Sequence, residues 1–220
     1  MKARLFWHVF CVAHWFDICN EIMQSLCYSR FPFPIETHLV GTESDCNDFC
    51  ELAGTWGITA DVIRHDKNAY EYWTIAALHD YANHSDGLVC YIHNKGTTSA
   101  SPTYSRWRWC MLQKIIVEWQ ERVEDFTAFD VDAVGCFFLN YWPCFAGNWW
   151  WARTEFVKTR EKPILSANRF YYEKWLLMGI NRNRLLSLIA EDIEPYVSQT
   201  HCRLGNPHRK YIFWKKGRLL

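Results

Sequence analysis

The chain has 220 residues, with 24 Lys or Arg and 24 Asp or Glu, so its formal net charge at pH 7 is zero with neutral histidines. This length suits one large domain, and the charge balance argues against a nucleic-acid or acidic-membrane partner. No apolar stretch reaches about 18 residues, so we expect no transmembrane helix. Ten cysteines without a C-x-x-C pair argue against a zinc ribbon. Most lie in apolar segments, so we expect free thiols and a cytoplasmic protein.

Short apolar runs alternate with segments of helical periodicity through the first 92 residues. The predicted strands are residues 5–11, 37–42, 58–64 and 87–92, and the predicted helices are residues 15–28, 44–56 and 70–82. The buried stripe of the first helix is expected to comprise Trp15, Ile18, Cys19, Ile22, Met23 and Leu26. Ser44 or Asp45 is the expected N-cap of the second helix, and Gly57 ends it. The β-α-β-α-β-α-β order predicts a parallel, doubly wound sheet.

The second half of the sequence is less regular. Its predicted elements are a polar loop at 97–105, a long helix at 106–124, a strand at 131–139, and helices at 166–178 and 185–189. We find no internal repeat and no linker. The prediction is therefore one domain of residues 1–200 followed by a basic C-terminal extension of residues 201–220.

The strand predicted at 87–92 is the centre of the functional analysis. It is a short apolar run between turn signals, which is typical of a strand buried on both faces. His93, Asn94 and Lys95 follow it, and Gly96 allows a sharp turn. Ligands of open α/β sheets bind beyond the carboxyl ends of such strands. The alternative is an ordinary strand that ends in a solvated loop.

Cationic side chains follow this strand in the sequence. Lys95, Arg106 and Arg108 lie near a strand end and a predicted helix start, and both places suit a phosphate group. The alternative is that both arginines are solvated or paired with carboxylates. Among the carboxylates, Glu173 lies amid aromatic residues, where it is either a general base or the partner of a nearby Arg or Lys.

An aromatic segment at 141–152 contains a second candidate group. Gly147 permits close approach of a ligand, and Asn148 offers an amide to sugar hydroxyls. Residues 149–151 are three successive tryptophans, and we expect at least one of them to face a cleft or solvent. Trp150 is the candidate for stacking on a sugar ring, whereas core packing is the alternative.

Several motifs of other enzyme classes are missing. The sequence has no G-x-G-x-x-G, Walker A or G-x-S-x-G motif, so dinucleotide, P-loop and α/β-hydrolase functions lack their markers. Asp130-Val131-Asp132 matches a D-x-D spelling, but it precedes a predicted strand, where a metal-binding pair should follow one. We therefore interpret it as a turn.

Four motifs taken together resemble a group of GT-A-type glycosyltransferases from large DNA viruses of algae and from bacterial surface-polysaccharide clusters. In chain order they are Tyr91-Ile92-His93-Asn94-Lys95-Gly96, Trp107-Arg108-x-x-Met111, Gly147-Asn148-x-Trp150-Trp151-Ala152 and Arg169-x-x-x-Glu173-x-Trp175. His8 and the Tyr70-Glu71-Tyr72 helix start also fit that pattern. The similarity covers roughly residues 4–178. It implies a single GT-A-like, Rossmann-like α/β domain with a mostly parallel twisted sheet flanked by helices.

The resemblance also implies a nucleotide-diphosphate-sugar donor, such as a UDP-sugar. The nucleoside would lie near Asp66 and the loop after the first strand. The first strand itself contains His8, a further candidate for donor binding. The diphosphate would lie near His93, Asn94 and Lys95, helped by Arg106 or Arg108. GT-A enzymes usually carry Asp-x-Asp at this strand end, which holds Mn²⁺ or Mg²⁺. This sequence departs from that pattern, which leaves His93 as the metal-ligand candidate and puts metal dependence in doubt.

The remaining implied roles concern the sugar and the acceptor. Gly147, Asn148 and Trp150 would hold the donor sugar or acceptor, and Glu173 would deprotonate the acceptor hydroxyl of an inverting enzyme. The hypothesis is thus a cytoplasmic hexosyltransferase-like enzyme of polysaccharide biosynthesis with a glycan acceptor. Its rivals are a non-catalytic nucleotide-sugar or carbohydrate binding protein on the same fold and a nucleic-acid-processing protein. Zero net charge weakens the latter.

Overall fold

A computed structural model describes residues 1–99, 101–139, 142–179, 184–189, 212–215 and 218–219. Most of the predicted basic extension lies outside the described residues, and its separation from the domain stays a prediction. None of the helices formed by the described residues is both long enough and apolar enough to cross a membrane.

The first half of the chain forms the expected alternation of strands and helices. The strands are β1 (Ala3–Phe10), β2 (Ile35–Val40), β3 (Ala60–His65) and β4 (Leu88–His93), and the helices between them are α1 (Trp15–Tyr28), α2 (Glu43–Thr55) and α3 (Tyr72–His84). β1 pairs in parallel with β2 on one side and with β4 on the other, and β2 pairs in parallel with β3. The predicted elements of this half are all present, with boundaries that shift by at most two residues.

Helix α1 has the boundaries and the buried stripe that its sequence predicts. Helix α2 begins one residue earlier than expected. Thr42 is its N-cap, and its hydroxyl accepts from the Asp45 N–H while the Asp45 carboxylate accepts from the Thr42 N–H. Asp45 therefore completes a capping box and is not itself the cap. Gly57 follows the helix with φ of +65°, a conformation that glycine adopts without strain.

The second half departs more often from the prediction. Its elements are α4 (Pro102–Met111), a π-helical segment (Leu112–Val117), α5 (Trp119–Ala128), β5 (Ala133–Gly135), β6 (Phe138–Leu139), β7 (Cys144–Phe145), β8 (Trp150–Arg153), α6 (Thr154–Lys158), α7 (Phe170–Trp175), β9 (Leu185–Ser187), β10 (Ile212–Lys215) and β11 (Arg218–Leu219). The helix prediction at 185–189 is wrong, because β9 pairs in parallel with β5. The single strand predicted at 131–139 is two strands, since Phe137 between them has φ of +53°.

Nine of the described strands form one sheet in the order β11-β10-β9-β5-β8-β4-β1-β2-β3, and β6 and β7 form a separate hairpin. Within this sheet, β8 and β10 run against the common direction. The sheet is therefore mostly parallel, as predicted. The chain leaves β1 toward β2 and β3 and then crosses to β4 on the other side of β1, so the strand order reverses between β1 and β4.

Two hydrophobic cores cover the two faces of the sheet. Leu5, Trp7 and Val9 of β1 pack into the core on the α1 and α2 side, whereas Phe6 packs into the core that contains residues of α3 and α7. This alternation follows from the period of two along a strand. Each face of β1 and β4 is thus covered, which explains their unbroken apolar sequences.

The three successive tryptophans, Trp149, Trp150 and Trp151, are all at most 1% exposed. The expectation that one of them faces a cleft or solvent is therefore wrong. Trp149 and Trp151 belong to the α1-side core, and Trp150 belongs to the opposite core. Each indole N–H has an acceptor, which removes the main cost of burying the ring.

Candidate functional site

The candidate site lies at the carboxyl edge of the parallel strands. Strands β1 to β4 end there at Phe10, Val40, His65 and His93. β8 is antiparallel to β4 and begins at this edge, so the loop that precedes Trp150 joins the site. The reversal of strand order between β1 and β4 forms a crevice here, which is where open α/β sheets bind ligands.

An open cleft of about 330 Å³ lies beyond the ends of β1, β2 and β3. Its lining includes Phe10, Cys11, Gly41, Thr42, Asp66 and Asn68. The Asp66 side chain is 77% exposed and pairs with the Arg64 guanidinium. The cleft therefore combines apolar and peptide surface with the carboxylates of Asp45 and Asp66 and the guanidinium of Arg64.

Glu71, at the start of α3, is the centre of a buried hydrogen-bond network. Its carboxylate accepts from the Tyr91 hydroxyl at 2.6 Å, contacts His93 Nδ1 at 3.1 Å and accepts from the Asn148 side-chain amide. The Trp150 indole N–H donates to Asn148 Oδ1 at 3.0 Å. One carboxylate thus connects the first residue before α3, the end of β4 and the loop before β8.

The charge state of Glu71 follows from these contacts. Burial alone would raise its pKa, but the charge and hydrogen bond of His93, the charge of His8 and the Tyr91 hydroxyl lower it to about 2. The carboxylate is therefore ionised at neutral pH. Burial and the adjacent Glu71 charge raise the pKa of Tyr91 well above its usual value, so Tyr91 keeps its proton as a donor.

His8 lies next to His93 in the strand register and points to the same face of the sheet. It is 4% exposed, and its Nδ1 lies 3.1 Å from the Thr74 hydroxyl. Burial lowers the pKa of His8 to about 3, against the opposing charge of Glu71. His8 is therefore neutral at physiological pH.

The three residues at the end of β4 make three different contacts. Besides the contact of His93 with Glu71, Asn94 is buried, and its side-chain amide accepts from the Phe10 N–H at 3.0 Å and donates to the Phe10 carbonyl at 2.9 Å. Asn94 therefore extends the pairing of β4 with β1 through its side chain. The Lys95 ammonium lies over the Trp107 ring, 4.6 Å from its centroid.

Arg108 holds the Lys95 loop in place. Its side chain is 7% exposed and forms an ion pair with Glu21 at 2.7 Å, and its Nη1 donates to the Lys95 carbonyl at 3.0 Å. The prediction that this guanidinium faces a diphosphate does not fit its contacts, because Glu21 and the loop carbonyl already occupy it. Arg106 lies two residues earlier on α4 and is half-buried.

Gly147 and Asn148 form a tight turn before β8. Both have left-handed backbone, with φ of +88° and +52°. A Cβ at Gly147 would lie 2.4 Å from Met111 Sδ and 3.2 Å from the Trp107 ring, so this position has no room for a side chain. Asn148 is 2% exposed and serves Glu71 and Trp150. Trp150 stacks on Tyr91 with centroids 5.2 Å apart, which leaves no free ring face at the surface for a sugar.

Glu173 lies on the short helix α7 and is partly buried. Burial, followed by the charge of Glu173, raises the pKa of the buried Cys144 thiol to about 12, while Lys95 and Lys174 oppose that shift. Glu173 also contributes to the raised pKa of Tyr91. The Glu173 carboxylate and the Lys95 ammonium therefore both lie close enough to Cys144 of β7 to influence its pKa.

A divalent-ion site does not fit the residues at this edge. The described part of the chain contains no group of three His, Cys, Asp or Glu side chains that is suited to a metal ion. At the end of β4, the Asn94 amide is occupied and Lys95 is a cation. Asp130 and Asp132 both pair with Arg184 at the amino end of β5, away from this edge, which agrees with their interpretation as a turn.

Sequence comparison identifies the family. A family model described as a domain of unknown function, DUF8361, matches residues 12–175. The chain belongs to the DUF8361 family. No curated protein matches its sequence.

Comparison with solved structures shows which known fold the chain resembles. S. aureus TarS 1–349 superposes with a TM-score of 0.52 at 12% identity, covering 87% of this chain and 59% of that one. The same protein in complex with UDP-GlcNAc gives a TM-score of 0.51 at 11% identity, covering 87% and 57%. This chain therefore spans about three fifths of TarS 1–349. The likeness shows the fold, and it confirms the GT-A-like α/β domain predicted from the sequence.

Glu71 is the functional candidate that the sequence analysis did not select. It was noted only as part of the Tyr70-Glu71-Tyr72 helix start. The available signal was a carboxylate between two tyrosines immediately before an apolar helix, at the carboxyl edge of the predicted sheet. That position alone places Glu71 near the other strand ends.

Proposed function

We propose that this DUF8361 protein is a glycosyltransferase that moves a sugar from a nucleotide-diphosphate-sugar donor to a hydroxyl of a glycan acceptor. The observation that carries the proposal is the open cleft beyond β1, β2 and β3. Its lining residue Phe10 is hydrogen-bonded to Asn94, which lies between His93 and Lys95 in the sequence. The GT-A-like fold supports it, since TarS shares this fold and has been crystallised with UDP-GlcNAc.

In this proposal the nucleoside occupies the open cleft. The accessible Asp66 carboxylate accepts hydrogen bonds from the base or the ribose, and the peptide surface at Gly41 lies against the rings. A nucleoside fits the cleft volume of about 330 Å³. The diphosphate then extends toward the end of β4.

The leaving diphosphate is stabilised by positive charge. As the bond between the anomeric carbon of the sugar and the diphosphate breaks, negative charge accumulates on the diphosphate oxygens. A fixed cation lowers the energy of that state. Lys95 supplies the charge, Arg106 is a second candidate, and Arg108 positions the Lys95 loop through its contact with the Lys95 carbonyl. The described side chains at the end of β4 do not form a ligand set suited to a divalent ion.

Glu173 is proposed as the general base. It would take the proton of the acceptor hydroxyl while that oxygen attacks the anomeric carbon, which gives inversion in a single displacement. Gly147 and Asn148 shape the wall beside the donor sugar. A function in polysaccharide biosynthesis follows from the glycan acceptor. All nine cysteines of the described residues are free thiols, in keeping with a cytoplasmic location.

A thermal-shift screen of UDP-, GDP- and dTDP-sugars, with and without Mn²⁺, identifies the donor, because a bound ligand raises the melting temperature. Transfer and donor hydrolysis are then measured with that donor. Glu173→Gln should abolish transfer and leave donor binding largely intact. Glu155→Gln, a change of an exposed carboxylate on α6, is the matched control and should leave transfer unchanged.

Two outcomes would overturn parts of this assignment. Normal turnover by the Glu173 variant would show that the base is a different residue. Donor binding by the unmodified protein without hydrolysis or transfer to any of a panel of glycans would favour the non-catalytic binding protein.

A further inference from the structure

The Glu71 network has one buried polar atom without a partner. His93 Nε2 is covered and has no hydrogen-bond partner among the described residues. The Trp107 indole N–H, beneath the Lys95 ammonium, is a second such atom. Buried polar atoms are nearly always paired, so two orphans at one strand end point to a ligand that completes them.

The orientation of His93 follows from Glu71. The carboxylate is ionised and accepts at Nδ1, so Nδ1 carries a proton and Nε2 is the free nitrogen. The buried Glu71 carboxylate is strongly unfavourable unless hydrogen bonds or a positive charge compensate it. Among the described residues that contact the carboxylate, Tyr91 and Asn148 are neutral, and His93 is the one that can carry the positive charge.

The ring lies where a diphosphate would arrive. His93 ends β4, beside the strand-order reversal, and is two residues from Lys95. Its side chain keeps 12% exposure, so the ring borders the surface although Nε2 is covered. A ligand that displaces the covering side chains would reach this nitrogen.

We propose, on the basis of the proposed function, that Glu71 is a positioning residue of the donor site. Its carboxylate holds the His93 ring at Nδ1, and when the donor binds the ring takes up a second proton, so that Nε2–H donates to an oxygen of the leaving diphosphate. His93 and Lys95 together then provide positive charge to the leaving diphosphate, which in the usual GT-A pattern comes from a divalent ion held by Asp-x-Asp. No covalent bond to the protein forms in this step.

The test compares the affinities of UDP and uridine, measured by calorimetry in EDTA. Glu71→Gln replaces one carboxylate oxygen with an NH₂ group. This group cannot accept a hydrogen bond from the Tyr91, His93 or Asn148 donor that faces it. His93→Gln removes the imidazolium. Each change should weaken UDP binding by about 10- to 100-fold, the share of one charge-assisted hydrogen bond, and leave uridine affinity unchanged.

A double-mutant cycle tests whether Glu71 acts through His93. If it does, Glu71→Gln has no further effect on UDP affinity once His93 is Gln. Glu36→Gln is the matched control, because Glu36 also accepts from a histidine, His38, at 3.1 Å. Both residues lie on β2, which is separated from β4 by β1. This control should leave UDP affinity unchanged.

The outcomes separate this inference from the proposed function. If neither UDP nor any other nucleoside diphosphate binds the unmodified protein, in EDTA or with Mn²⁺, the proposed function fails. If UDP binds but the Glu71 and His93 effects are additive, or if uridine affinity falls equally, Glu71 has only a structural role. If UDP binding requires Mn²⁺ and His93→Gln weakens the binding of Mn²⁺, His93 is a metal ligand and the inference is overturned.

Discussion

Replacing His8 with Asn should flatten the dependence of stability on pH between pH 6.5 and pH 5. The pKa of His8 is about 3 in the folded protein, lowered from its ordinary value of 6.5, because burial disfavours the charged ring. The folded protein therefore leaves His8 neutral in this interval, whereas the unfolded chain binds a proton there. The stability that depends on neutral His8 is complete above pH 6.5 and is lost as the pH falls.

The magnitude follows from one proton. Each pH unit below 6.5 costs about 1.4 kcal/mol of unfolding free energy, so His8 should account for about 2 kcal/mol between pH 6.5 and pH 5. Glu71 does not interfere in this window. Its pKa is about 2 in the folded protein, lowered from an ordinary value of 4.5, so its contribution is present above pH 4.5 and is lost only as the pH falls toward 2.

The assay is urea denaturation at several pH values. Asn can keep a hydrogen bond to Thr74 in the place of Nδ1 and does not titrate, so the difference between the two proteins isolates the His8 proton. His84→Asn is the control, because the His84 side chain is 74% exposed. Equal slopes for the His8 variant and the unmodified protein would show that His8 is solvated or paired when folded, and the burial argument would fail.

Two further predictions concern the loops of the site. Gly147→Ala should lower the unfolding free energy by about 2–4 kcal/mol in urea denaturation, from left-handed backbone strain and a methionine sulfur 2.4 Å from the new Cβ. Gly54→Ala, in α2 with no atom within 4 Å of its Cβ, should instead be neutral or gain about 0.5–1 kcal/mol, and equal losses would contradict the packing account. Arg108→Met should cost about 2–4 kcal/mol, because it leaves Glu21 and the Lys95 carbonyl unpaired. It should also weaken UDP binding in calorimetry, and unchanged affinity would show that the Lys95 loop needs no such support.

The first half of the fold was predictable because its signals are local. Helix α1 has a strong stripe of period 3.6, a breaker after it and no competing pairing, so its boundaries match the prediction. The parallel strands were readable as unbroken apolar runs, since both faces of the sheet are covered. Here local propensity and tertiary structure agree.

Segment 185–189 is a case in which the local sequence pattern cannot distinguish a helix from a strand. Five residues, four of them apolar, fit one turn of helix or a short strand equally well. Pairing with β5 makes residues Leu185–Ser187 a strand, and no feature within the segment reveals that partner. The tryptophan prediction failed for a related reason. It assumed that one face of the strand is open, whereas both faces of β8 pack into cores.

The site divides in the same way. That His93, Asn94 and Lys95 occupy a strand end could be predicted, because strand ends are local features. Their separate tasks could not, since each depends on a distant partner. Glu71 meets His93 across 22 residues and Asn148 across 77, and Asn94 meets Phe10 across 84. A sequence pattern can therefore place chemistry at an edge of the sheet. Only the packed structure shows that Asn94 supports the sheet, that Lys95 lies over an aromatic ring, and that His93 is held by an acid on another element.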